Sequence, residues 1–311
     1  MTAYPMLLWR FLRSPRPDIV VVGYLGHLDV LLLRPFAILR RTPVIWDAFL
    51  SLYDTVVDDR RMVSSRHPAA HFLKGWDWLA CRAADLVVLD TEAQATLFRN
   101  TYGLETSKVT SVFVGAEVKT FPKLSANSKG SRATVLFYGQ FIPLHGIATI
   151  IEAARLSRNR PIDWVIIGSG QMAGHIREML DNDTPNALDW VEWVPYPELL
   201  RYIAAADVCL GVFGESSKAG RVIPNKVFQI LSAGRPLVTR DGPGIRELVP
   251  EFATGVELVP PADPAALLMA VERLLDGAPF PSDLHTDLRM RFSPDALARR
   301  WGEILEKGST S

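Results

Sequence analysis

Three cations, Lys218, Arg221 and Lys226, crowd the first half of "SSKAGRVIPNKVFQILSAGRPLVT" (216–239) in this 311-residue chain. Pro224 favours a helix start and Asn225 is a good N-cap. Val227, Phe228 and Leu231 then share one face at helical spacing, and Gly234 is a natural residue just past the end. The pattern predicts a two-turn helix from Asn225 to near Ala233. Its first backbone N–H groups lack partners, and the macrodipole adds about half a positive charge there. Lys226 in the first turn, with Arg221 and Lys218 upstream, adds cations where anions are preferred. A bound diphosphate would resolve the conflict. The bland alternative sends these side chains to water.

Other residues carry weaker signals. "GSGQMAG" (168–174) has the glycine spacing of a dinucleotide-binding turn. Such a turn should open its domain and precede an acidic residue at the end of the next strand. Here a full strand–helix unit comes first and Asp189 is read as lying before the next strand, so a tight turn facing a nucleotide is the better reading. A nicotinamide dehydrogenase rests on this motif alone. "VIWDAFLSLYDTVVDDRR" (44–61) ends a strand at Asp47, which would cap a helix or orient a hydroxyl. His67 and His71 lie four apart, but no third ligand is suitably spaced and Pro68 marks a helix start, so they read as structural.

Composition narrows the classes. Lys plus Arg and Asp plus Glu both number 34, which gives no electrostatic footprint for nucleic acid. The two cysteines, Cys81 and Cys209, lie in apolar segments and read as buried free thiols in a reducing compartment. No segment reaches the ~18 uninterrupted apolar residues of a membrane span. The opening "MTAYPMLLWRFLRSPRP" mixes apolar residues with Arg10, Arg13 and Arg16. It would form a helix packed on its own domain or one lying on a membrane surface. A cytoplasmic chain, with the inner membrane surface as a site of peripheral contact, is the expectation.

Short Val/Ile/Leu-rich runs supply the elements that must position these residues. They are 18–23, 42–47, 85–90 and 108–114, then 133–139, 163–168, 207–212, 236–239 and 255–259. Such runs suit strands buried on both faces of a parallel sheet. Helical patterns such as Ala148–Arg158 and Pro197–Ala206 alternate with them, which argues for doubly wound α/β architecture. The aperiodic "KLSANSKGSR" (123–132) reads as a linker. Two domains are expected, at 1–126 and 127–292, with a terminal helix in 293–311 returning to the first. Their polar strand ends would face each other across a cleft.

"IPNKVFQILSAGRPLVT" resembles the nucleotide-binding loop and helix of GT-B glycosyltransferases, the retaining group called family 4. "VLFYGQFIPLHGIATIIEAARL" (135–156), "WVIIGSG" (164–170), "WVPYPELLRYIAAADVCL" (193–210) and "FSPDALARRWGEILEK" (292–307) follow in family order. The resemblance implies two Rossmann-like domains and transfer of a sugar from a nucleotide-sugar to a glycan or lipid-linked acceptor. It also implies retention, no metal and no cofactor beyond the donor. By their charge Lys226, Arg221 and Lys218 would take the diphosphate with help from Asn225, and Gln229 would contact the ribose. Gly139, Gln140, Gly168, Ser169, Gly170 and Val194 would line the nucleotide site, with His145 facing the sugar and Asp47 the acceptor.

The departures are specific. The family's two glutamates correspond here to Arg221 and Gln229, and its basic pair to Gln140 and His145. The resemblance also implies opening strand, glycine-rich loop and helix units ahead of "DIVVVG", so the N-terminal domain is expected to be incomplete, with an open sheet edge. The alternative function is a non-catalytic nucleotide-binding subunit completed by a protein partner or a second copy.

Overall fold

The structure is a computed structural model that describes residues 3–117, 120–121, 131–185 and 187–309. The chain divides into two compact units, one of residues 1–113 with 295–311, the other of residues 114–294.

The first unit runs α1 (Ala3–Arg13), β1 (Val20–Val22), α2 (His27–Leu39), β2 (Val44–Phe49), α3 (Pro68–Ala83), β3 (Leu86–Leu89), α4 (Glu92–Tyr102) and β4 (Val109–Ser111). Its strands pair in parallel in the order β1-β2-β3-β4. The second unit holds β5 (Ala133–Tyr138), α5 (Ile147–Leu156), β6 (Ile162–Ile167), α6 (Ala173–Asn182), β7 (Leu188–Val191), α7 (Tyr196–Ala205) and β8 (Val208–Leu210). It continues through α8 (Ser217–Arg221), α9 (Asn225–Ser232), β9 (Leu237–Arg240), α10 (Pro243–Leu248), β10 (Val256–Val259), α11 (Pro264–Asp276) and α12 (Thr286–Arg291). The last helix, α13 (Pro294–Ser309), belongs from Asp295 to the first unit.

The second sheet is also parallel, in the order β10-β9-β8-β5-β6-β7. Counted from β5, this is the doubly wound order, with the order of strands reversing between β5 and β8 while their direction stays parallel. Ligands of such sheets bind outside the carboxyl ends at that reversal. The four strands of the first unit follow sequence order, so their described sheet contains no reversal of this kind. The central strands are buried on both faces, as the apolar runs require: Val44, Ile45 and Trp46 of β2, Val135, Leu136 and Phe137 of β5, and Val208, Cys209 and Leu210 of β8 are all fully buried.

Three expectations change. β7 was not among the strand candidates, and Asp189 lies within it rather than ahead of a strand. It pairs with β6 at the sheet edge, where a polar residue is tolerated on the exposed side. The run 108–114 forms only the three-residue β4. The compact units divide after Phe113, ahead of the boundary read at 126/127. The reason lies in Phe121, which is fully buried, packs edge-on against Tyr196 at 5.4 Å and accepts a 2.8 Å hydrogen bond from Ser232 Oγ at its carbonyl. That burial ties the segment to the second unit. The linker read at 123–132 falls almost wholly outside the described residues.

α13 closes the first unit on its other side. Ile304 joins Ile45, Val88 and Val112 in one apolar cluster, with Leu297, Trp301 and Leu305 packed against it. Arg300 fastens the helix by donating to the Ser111 carbonyl at 3.2 Å and to Thr110 Oγ1 at 2.7 Å.

Candidate functional site

The reversal between β5 and β8 is built from glycines. Gly139 follows β5 at φ 140° and Gly168 follows β6 at φ 145°, both outside the range of ordinary side chains. A Cβ on Gly168 would fall 1.9 Å from the Gly139 carbonyl oxygen. The loop after β8 closes against the loop after β5: Phe213 N–H donates to the His145 carbonyl and Gly214 N–H to that of Leu144, each at 3.1 Å. Backbone therefore meets backbone at the carboxyl edge of the sheet.

Lys226 enters this edge from α9. Val227, Phe228 and Leu231 bury the apolar face of that helix, as its periodicity predicts. Its boundaries, Asn225–Ser232, also follow the sequence, but the cap is Pro224 rather than Asn225. Asn225 is the exposed first helical residue, and among the described residues no side chain caps the N-terminus. Lys226 does not reach water. It is 6% exposed, and its Nζ lies 3.7 Å from the Phe137 ring centroid with no hydrogen-bond partner among the described residues. A Cβ on Gly139 would sit 2.7 Å from that nitrogen and 3.2 Å from His145 Cε1. The structure thus brings Lys226, His145 and Gly139 together.

Electrostatics explains why this matters. Burial pushes the Lys226 ammonium well below the ordinary lysine value. A desolvated cation–π contact returns about 2 kcal/mol, whereas burying an ammonium costs several. The ring alone cannot hold the charge. An anion in the same place would, by restoring an opposite charge at short range.

The neighbouring residues are held more conventionally. His145 Nδ1 bonds the Gln140 carbonyl, which fixes the imidazole against the Phe137 ring edge at 5.7 Å. Gln229 Oε1 accepts from the Tyr138 hydroxyl at 3.2 Å, and its Nε2 donates to Tyr196 Oη at 3.5 Å. Gln140, Ser169 and Gly170 are exposed on their loops, and Val194 is half-buried between β7 and α7. Lys218 and Arg221 lie upstream of α9, as the sequence order requires. They lie in the last turn of the separate helix α8, where the dipole favours cations. Lys218 is 5% exposed there.

In the first unit, Asp47 is half-buried in β2 beside the register shift at Phe49, and burial raises its carboxyl above the ordinary 3.8. A polar hub there went unread in the sequence. Asp77, fully buried on α3, accepts from His27 Nε2 at 2.8 Å, Ser51 Oγ at 2.6 Å and Tyr102 Oη at 2.9 Å. The backbone N–H groups of Leu52 and Tyr53 also point at it. Its signal was only an aspartate in an apolar helix. His67 caps α3, accepting from Ala69 N–H at Nδ1, so a capping role accounts for it.

Residues 132–277 match the family described as Glycosyl transferases group 1. The amylovoran biosynthesis glycosyltransferase AmsK of Erwinia amylovora is 24% identical over 215 residues, covering 66% of this chain and 52% of that one. A probable glycosyltransferase, WbjE of Pseudomonas aeruginosa, is 28% identical over 150 residues, covering 48% and 37%. The chain spans about half the length or less of these curated relatives. Among solved structures, Anabaena HepE in complex with UDP superposes with a TM-score of 0.73 at 13% identity, covering 97% of this chain and 81% of that one. Starch synthase IV from Arabidopsis thaliana, bound to ADP and acarbose, gives 0.72 at 12%, covering 98% and 76%. The chain therefore has the GT-B fold with two Rossmann-like domains, and its residues 132–277 match the model of the group 1 glycosyl transferases.

Proposed function

We propose that this protein transfers a sugar from a nucleotide-sugar donor to a glycan or lipid-linked acceptor, with retention of configuration and without a metal or further cofactor. The observation that carries the reading is Lys226: a buried ammonium with no hydrogen-bond partner among the described residues, between Gly139 and Phe137, at the switch in strand order where doubly wound sheets bind ligands. Retention and metal independence rest on the family resemblance.

The hard step is departure of the diphosphate while the anomeric carbon becomes oxocarbenium-like. Lys226 neutralises the developing negative charge, with Arg221 and Lys218 adding positive charge and the N-terminal N–H groups of α9 donating. Gln229 meets the ribose; Gly139, Gly168 and Gly170 allow close approach; Gln140, Ser169 and Val194 line the nucleotide. His145 faces the sugar and Asp47 orients the acceptor hydroxyl. UDP is the first nucleotide to test, because the Anabaena neighbour was solved with UDP and with UDP-glucose.

The test is calorimetric titration of UDP, GDP and ADP, and of their sugar conjugates, into wild type and Lys226→Ala. One nucleotide binding tightly and weakening at least tenfold in the variant supports the reading. Equal binding by a folded variant overturns the assignment of Lys226. A second reading, a nucleotide-binding subunit completed by a partner, is favoured by Gln229, a neutral amide already engaged with two tyrosines. Nucleotide binding without transfer, restored by a second protein, would select it.

A further inference from the structure

Helix α1 is fastened on one side and bare on the other. Tyr4, Leu8 and Phe11 are half-buried. Arg40, just past α2, stacks on the Phe11 ring at 5.1 Å and donates to the Ser14 carbonyl at 2.8 Å. On the opposite face Met6, Trp9 and Leu12, spaced three apart, are 50%, 53% and 41% exposed. The end of α2 beside it leaves Ile38 and Leu39 still more open, at 61% and 76%. A strip of large apolar side chains along one helix face marks an interaction site rather than scattered exposure.

Charge decides what the surface fits. Arg10 and Arg13 lie on the bare face, with the Arg13 guanidinium 4.5 Å over the Trp9 ring, and Arg16, Arg40 and Arg41 follow. Residues 1–17 and 30–46 contain no Asp or Glu, in a chain whose charges otherwise balance. A second copy would set this basic face against itself, which is repulsive. An apolar layer capped by fixed negative charge satisfies both the apolar and the basic groups. Among the described residues no helix is long and apolar enough to cross a membrane, so the contact is with a surface.

We propose that α1, with the C-terminal end of α2, is a docking surface for a bilayer that carries anionic phospholipid. The apolar strip enters the headgroup boundary while the arginines meet lipid phosphates.

The test is flotation of the full chain with vesicles of phosphatidylcholine alone and with about one-third phosphatidylglycerol. Two variants accompany it: Met6→Ser/Trp9→Ser/Leu12→Ser, and Arg10→Gln/Arg13→Gln. All five side chains are exposed, so melting and UDP titration should match wild type, which separates this result from the nucleotide site. Binding only to anionic vesicles, weakened by added salt and reduced about 10–30-fold in the arginine variant, is the expected result, with a comparable loss in the apolar variant. No vesicle binding, equal binding to both compositions, or variants that bind like wild type would overturn it. So would self-association of the wild type that the variants abolish, since the surface would then join copies of the chain.

Discussion

The Lys226 ammonium nitrogen stands 3.7 Å from the centroid of the Phe137 ring and has no hydrogen-bond partner among the described residues. Holding a polar head there without an anion costs stability, and that cost is what a diphosphate would remove. Lys226→Met keeps the length and removes the amine. Chemical denaturation should show the variant more stable by about 1–2 kcal/mol. Sugar transfer, measured as nucleotide release, should fall roughly 10²–10³-fold. A variant that is both less stable and fully active would contradict the role given to this lysine.

Two glycines should respond oppositely to one methyl group. At Gly168 an added Cβ falls 1.9 Å from the Gly139 carbonyl oxygen, at a φ of 145° that alanine resists. Gly168→Ala should cost several kcal/mol and distort the loop that follows β6. Gly174 lies in α6 with nothing within 4 Å of such a Cβ, so Gly174→Ala should stabilise by about 0.5–1 kcal/mol. Thermal melting of the pair checks both signs.

Asp77 organises the first unit. Burial alone would raise its carboxyl, but hydrogen bonds from His27, Ser51, the Tyr53 N–H and Tyr102 outweigh it and hold the group below the ordinary 3.8. A carboxyl with a depressed folded value contributes stability above its unfolded value and loses it as pH falls through the folded one. Asp77→Asn turns donor groups toward donors and should cost about 3–5 kcal/mol at neutral pH. Urea titrations at neutral pH and below about pH 4 should show this difference shrinking with acid.

His285 should make the second unit acid-sensitive in a different window. Burial pushes its imidazole down to about 4, with Arg289 adding to the effect and the Arg235 carbonyl, 2.9 Å from Nε2, opposing it. Between roughly 6.5, the unfolded value, and about 4 the unfolded chain takes up a proton that the folded chain refuses. Stability is therefore full above that window and falls through it by up to about 3 kcal/mol. His285→Asn suits the left-handed backbone there, φ 66°, and should flatten the slope, as pH-dependent denaturation would show.

The sequence by itself determined the parallel α/β character, because strands buried on both faces must be Val/Ile/Leu runs, and it placed α9 closely, because periodicity and Gly234 bound a helix locally. It missed β7, whose "LDWV" is short, carries Asp189 and lies at a sheet edge where burial does not dictate apolar residues. Only the tertiary structure decided that Lys226 is buried over Phe137, that Lys218 and Arg221 end a separate helix, and that Asp77 gathers five hydrogen bonds. Local pattern reports which residues prefer burial and which turns the backbone can make. Which ring meets which ammonium depends on strand order, and strand order is set by packing between segments far apart in the chain.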